Sequence, residues 1–156
     1  MKLQLQHVCL VLAIAALVVC LCYPLVQFVY ADYSVITMTN FQLIRPDGVH
    51  NASPWALGGV LIIAGLCQLF VLLISAFRNF ALQKRGLIVS MLLLAGYYLI
   101  YLVFVLILRA DVMTMFPRRT TILPLVSMIL NFMAFSAVRR TEARIIASAN
   151  NFRLRD

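Results

Sequence analysis

Charge is scarce in this sequence. Only 12% of its 156 residues are charged, and only five are acidic. A soluble domain carries about 25% charged residues, so a soluble globular enzyme is excluded as a first expectation. Disorder is excluded too, because it needs low hydrophobicity. Histidine is nearly absent, with two residues, His7 and His50. They fall on opposite sides of the apolar runs described below, so they cannot share a metal. Four cysteines are present, but no C-x-x-C pair, which a quinone-coupled disulfide enzyme would place at a helix end. Cys20 and Cys22 lie two apart, on nearly opposite faces of a helix. With Cys9 and Cys67 they read as small apolar side chains. Also missing are zinc-finger spacing, a glycine-rich phosphate loop and a basic heptad, so no nucleic-acid partner is expected despite a net charge of +8.

What is present is apolar. Hydrophobic residues make up 64% of the chain, and the mean hydropathy is +1.00. One small core cannot hide that surplus. The residues form four runs, at about 8–30, 54–77, 87–108 and 122–138. A helix needs about 17–25 apolar residues to cross the hydrocarbon core. Lipid offers no partner to backbone N–H and C=O groups, so spans are helices or closed barrels. Long runs without alternation exclude the barrel. The expectation is an all-α membrane protein, a single domain over 1–156, with four transmembrane helices and a basic tail at 139–156.

The basic residues set its orientation. With four spans, Lys2, Arg78, Lys84, Arg85, Arg139, Arg140, Arg144, Arg153 and Arg155 share one side, nine in all, against Arg45, Arg109, Arg118 and Arg119 on the other. The positive-inside rule then places both termini in the cytoplasm. Lys2 before an apolar stretch also suggests a signal peptide with Val29-Tyr30-Ala31 as its cleavage site. The stretch exceeds the usual ~7–15-residue apolar core of such peptides, so an uncleaved first span is expected.

The outer loop runs from Ala31 to Ser53. Tyr33 to Thr39 alternates and is rich in β-branched residues, which reads as a strand. Phe41-Gln42-Leu43-Ile44 can pair with it across Asn40, giving a small hairpin, and Arg45-Pro46-Asp47-Gly48 reads as a turn. Asn51-Ala52-Ser53 matches a glycosylation sequon, blocked by Pro54. The inner loop, Arg78 to Gly86, joins antiparallel neighbours. The tail can continue the fourth helix, with Ile145, Ile146, Ala149 and Phe152 near helical spacing, as in an interfacial helix.

No Asp, Glu, Lys, Arg or His lies inside the four runs. That excludes proton relays, voltage sensing and paired-aspartate proteolysis, which need intramembrane ionisable groups. Asp32, Asp47, His50 and Asp111 all face outward, and their spacing resembles no metal site. Polar groups near the middle of the runs are Gln68 in the second, Tyr97 and Tyr98 in the third, with Tyr101 one turn on, and Asn131 in the fourth. Lipid cannot satisfy an amide, so these groups are expected to turn inward and bond one another as interhelical glue. The other reading is a polar pocket for a small amphipathic ligand or lipid. Gly58, Gly65 and Ala16 are small enough to let helices approach.

The chain resembles domain-of-unknown-function family 4293, small four-span membrane proteins of Bacteroidota. The likeness runs through Leu5-Gln6-His7-Val8-Cys9-Leu10, Tyr23-Pro24-Leu25, the basic loop Arg78-Asn79-Phe80-Ala81-Leu82-Gln83-Lys84-Arg85, Leu123-Pro124-Leu125, and Ala137-Val138-Arg139-Arg140-Thr141-Glu142 with a closing Arg153-Leu154-Arg155. Thr141 stands where the family has an acidic residue. The resemblance implies a bacterial inner membrane and a four-helix bundle, and it implies no activity. No catalytic constellation or cofactor motif is present. The leading expectation is a non-enzymatic accessory or assembly subunit, with the bilayer and a membrane-protein partner or a second copy as its contacts. A carrier of an amphipathic ligand is the alternative, and a redox enzyme ranks last.

Overall fold

The computed structural model describes residues 2–45, 54–77, 79–109 and 112–153, with side chains from residue 6 to 149 except residue 76. The sequon Asn51-Ala52-Ser53, Asp47, His50, Arg78, Asp111 and Arg155 lie outside the described residues. So does most of the turn at Arg45-Pro46-Asp47-Gly48, as do the side chains of Lys2, Phe152 and Arg153.

Among the described residues, four helices and four strands follow one another in the order α1 (Lys2–Cys22), β1 (Val26–Tyr30), β2 (Val35–Met38), β3 (Leu43–Ile44), α2 (Trp55–Ala76), α3 (Phe80–Leu108), β4 (Val112–Pro117) and α4 (Leu123–Arg153), with a short 3-10 turn before α4. Among the described residues, three helical stretches are long and apolar enough to cross a membrane, Trp55–Ser75, Phe80–Leu108 and Arg119–Ala149, as suits a membrane protein. The described apolar stretch of α1, Gln6–Cys22, is shorter.

The first apolar run is not one helix. Hydropathy carries it to Tyr30, but α1 stops at Cys22. Pro24 has no N–H and drives Tyr23 away from helical backbone angles. The residues beyond, Val-Gln-Phe-Val-Tyr, are β-branched and aromatic and form a strand. The all-α expectation is corrected accordingly. A four-stranded antiparallel sheet in the order β3-β2-β1-β4 caps one end of the helices. Its register pairs Phe28 with Ile36 and Met115 and Val26 with Met38 and Pro117. The hairpin expected across Asn40 is there, as β2 and β3, with Met38 opposite Leu43. At the β1–β2 turn, Tyr33 has φ +61°. Beside it the Ser34 hydroxyl donates to Asp32 at 2.8 Å and holds that carboxyl below its ordinary pKa.

The inner loop is also shorter than expected. α3 begins at Phe80, where Asn79 caps it by accepting from the Leu82 N–H. Ala81, Leu82, Gln83, Lys84 and Arg85 are good helix formers. The loss of hydropathy at Lys84 marks where lipid would end, not where the helix does. The tail does continue α4, through Arg153.

The helices run antiparallel. Ser127 of α4 bonds Ala13 of α1 at mid-height, while Thr120 and Thr121 bond the carbonyls of Pro24 and Leu25 just past the end of α1. Two apolar clusters result. One gathers the sheet residues Phe28, Ile36, Met38 and Leu43 with Leu17, Leu57, Leu61, Leu94 and Tyr97. The other, at the far end, holds Cys9, Leu10, Val71, Leu87, Ala134 and Val138.

At Gly86 α3 packs close against α2. A Cβ there would run into the Val71 side chain, and Cys67 Sγ sits 3.4 Å from the Gly86 carbonyl oxygen. Gly58 faces the Phe41 ring in the same way, whereas Gly65, expected to allow a close approach, borders open space. Gly86→Ala is expected to cost about 1–3 kcal/mol through overpacking. Gly65→Ala should gain about 0.5–1 kcal/mol, since a helical glycine is conformationally costly. Thermal unfolding of the two variants in one detergent checks the opposite signs.

Candidate functional site: a layered polar seam

The polar side chains buried between the helices sit in three layers. The middle layer takes one group from each of three helices and two from the fourth. Gln68 Nε2 on α2 donates to Ser90 Oγ on α3 and to Ser127 Oγ on α4, both at 3.1 Å. Asn131 Nδ2, one turn beyond Ser127, donates to the same Ser90 Oγ at 3.1 Å. Ser127 in turn donates to the Ala13 carbonyl of α1 at 3.2 Å. Gln68, Ser90, Ser127 and Asn131 are all 0% exposed. Burial is tolerable only because the donors find acceptors. Two acceptors do not find donors: Gln68 Oε1 and Asn131 Oδ1 are buried with no protein partner. Turning either amide over would exchange the unpaired group without removing it.

The second layer lies beneath the sheet. Asn40, in the β2–β3 turn, is fully buried. Its Nδ2 donates to the Cys20 carbonyl at 2.6 Å, its Oδ1 accepts from the Tyr97 hydroxyl at 3.2 Å, and its backbone carbonyl accepts from Gly58 N–H at 3.0 Å. One loop residue thus ties α1, α2 and α3 together. Tyr98 donates to the Thr121 carbonyl at 2.9 Å. The Tyr97 ring stacks on Tyr101 at 6.5 Å between centroids and meets Tyr98 edge-on at 5.6 Å.

The third layer closes the opposite end. Gln6 Nε2 donates to Gln83 Oε1 at 2.9 Å. His7 Nε2 lies 2.7 Å from Ser75 Oγ. Lys84 Nζ and Glu142 form an ion pair at 2.7 Å. Ser75 is only 3% exposed, so the serine–imidazole contact joins helices and does not present a nucleophile to solvent.

The residues Gln68, Tyr97, Tyr98, Tyr101 and Asn131 therefore do not form one cluster. Gln68 and Asn131 meet through Ser90, and the tyrosines belong to the layer below the sheet. The reason is axial: Tyr97 stands seven residues past Ser90, about 10 Å along α3 at 1.5 Å per residue. Sequence reasoning passed over Ser75, Ser90 and Ser127, read Asn40 only as a turn, and gave Gln6, His7, Gln83, Lys84 and Glu142 no role between the helices. The arginines of the tail stand apart from the seam: Arg139, Arg140 and Arg144 are exposed on α4. Among the described residues no three His, Cys, Asp or Glu side chains gather as a metal ion would require.

The arrangement can hold helices in register. Its middle layer presents neutral amides and hydroxyls to one another, in a setting where each such bond contributes about 0.6 kcal/mol, up to ~2. Compared with known families, residues 4–151 match the model described as domain of unknown function, DUF4293. Among curated proteins none matches the chain.

Proposed function

The chain belongs to the DUF4293 family, and from that premise we propose that it is a non-enzymatic, multi-pass protein of a bacterial inner membrane that works by association, as an accessory or assembly subunit of a larger complex. One observation carries this reading. The polar side chains between the helices turn toward one another, while the outward faces of α2 and α3 carry large apolar side chains such as Leu66, Phe70, Leu73, Leu99, Leu102 and Ile107. What the molecule offers its surroundings is apolar helix surface and a basic helical extension. Those are means of contact, not of catalysis.

In this reading all four helices span as a bundle. The apolar stretch of α1, Gln6–Cys22, is about 25 Å long at 1.5 Å per residue, at the lower end of the about 17–25 residues a span uses. The start of α1, the α2–α3 link and the α4 extension share the end of the molecule that holds Gln6, Gln83 and Glu142. That end carries most of the Lys and Arg, so both termini face the cytoplasm. Solubilising tagged protein gently from its own membrane should yield a defined complex on a native gel, with a stoichiometric partner or second copy. A lone monomer carrying no partner overturns the reading.

The alternative is a carrier of a small amphipathic ligand. It draws on the unpaired oxygens of Gln68 and Asn131, which a ligand hydroxyl or amine would satisfy. Lipid extraction of the purified protein, with a bound small molecule that disappears in Gln68→Leu, would favour it over association.

A further inference from the structure

We propose that α4 holds the headgroup of an anionic phospholipid, in a groove where Arg140 and Arg144 follow an apolar wall. The groove encloses about 350 Å³. Its described lining begins with Phe132 and Met133, passes Ser136 and Ala137, and ends at Arg140 and Arg144. Polarity therefore changes along the helix in the order a lipid requires, acyl chain first and phosphate last. The change falls where it should. Among the described side chains of α4, Val138 is the last fully buried apolar one, and those from Ala143 to Ala149 are all exposed.

Charge names the occupant. Arg140 and Arg144 lie four residues apart on one face, with Cβ atoms about 6 Å apart, so both guanidinium groups can reach a single phosphate. Among the described residues no carboxylate answers them. Glu142 is the one acidic residue within α4, and Lys84 already holds it at 2.7 Å. Asp32 lies in the turn between β1 and β2, at the other end of the molecule. A second groove of about 330 Å³ flanks the same guanidinium, between Arg139, Arg140 and Ser136, which leaves room for a glycerol headgroup beside the phosphate. A free phosphate would answer the charges but leave Phe132 and Met133 bare, and a zwitterionic lipid would bring its own cation to the arginines. An anionic lipid satisfies both parts of the groove.

The test uses the full chain in detergent, titrated with short-chain phosphatidylglycerol, phosphatidylcholine or inorganic phosphate, and read by native mass spectrometry and thermal shift. Phosphatidylglycerol should bind and raise the unfolding midpoint. Phosphatidylcholine and phosphate at equal concentration should do neither. Arg140→Gln with Arg144→Gln should weaken phosphatidylglycerol binding about twenty-five-fold, about fivefold per basic residue. Arg85→Gln removes another arginine from the same end, one that lines neither groove, and should change it less than about twofold because solvent and salt screen a charge outside the site. Arg144→Gln alone, a single surface change, should weaken it about fivefold. Equal binding of phosphatidylcholine, displacement by phosphate alone, or unchanged affinity in the double variant each overturns the proposal.

Discussion

Asn40→Ala should destabilise the protein by about 3 kcal/mol, since each of two buried groups left unpaired costs about 1–3 kcal/mol. The Tyr97 hydroxyl and the Cys20 carbonyl both lose their partner in that variant. Cys20 lies in the last turn of α1, where carbonyls have no intrahelical donor and need one from elsewhere. For a chain of this size the unfolding midpoint should fall about 6–12 °C. Limited proteolysis should then cut within residues 23–45 while the helices persist, because the sheet is held to the helices at this point. Tyr97→Phe, which removes one hydroxyl and keeps the ring stack, should cost only about 1 kcal/mol. Equal midpoints for wild type and Asn40→Ala would show that this side chain ties nothing together.

The second large effect centres on Ser90. Its oxygen accepts from both Gln68 and Asn131. Ser90→Ala strands the Asn131 amide outright and leaves Gln68 with Ser127 alone, at a cost of about 2 kcal/mol. Gln68→Leu combined with Asn131→Leu removes more polar atoms yet should cost less. It deletes the two unpaired carbonyl oxygens along with the donors, and the remaining serine hydroxyls can turn to carbonyls of their own helices. The order of the two losses is the informative result. Unfolding in one detergent, measured for both variants, checks it, and a neutral Ser90→Ala would mean that the three helices do not share this layer.

The helices are legible in the sequence because an apolar run of about 20 residues matches the thickness of the hydrocarbon core. Their ends are not. Val26 to Tyr30 continues the apolar run despite Gln27, and hydropathy does not distinguish a strand from a helix. Only Pro24 marks the boundary. Val112 to Pro117 falls between the third and fourth runs, and six residues cannot span. Its pairing with β1 depends on a partner more than 80 residues away. Gln68 and Asn131 stand out as amides among apolar residues. Ser90 and Ser127 do not, since serine in a helix ordinarily bonds its own backbone, and only the facing helix shows otherwise. Asn40 sits between two strand-like segments and reads as a turn former. Its turn role is real, but its side chain points into the molecule, which no local pattern reveals.

The pairing of β1 with β4 also constrains biogenesis. Val26 must wait for Pro117 to be synthesised before the two can pair, a delay of about 5–20 s at ~5–20 residues per second. During that interval the first helix is already leaving the ribosome, and one edge of β1 is open to pairing with other chains. The Pro24 and Leu25 carbonyls wait equally long for Thr120 and Thr121. A nascent chain stalled before residue 112 therefore keeps that strand edge unpaired for as long as the stall lasts.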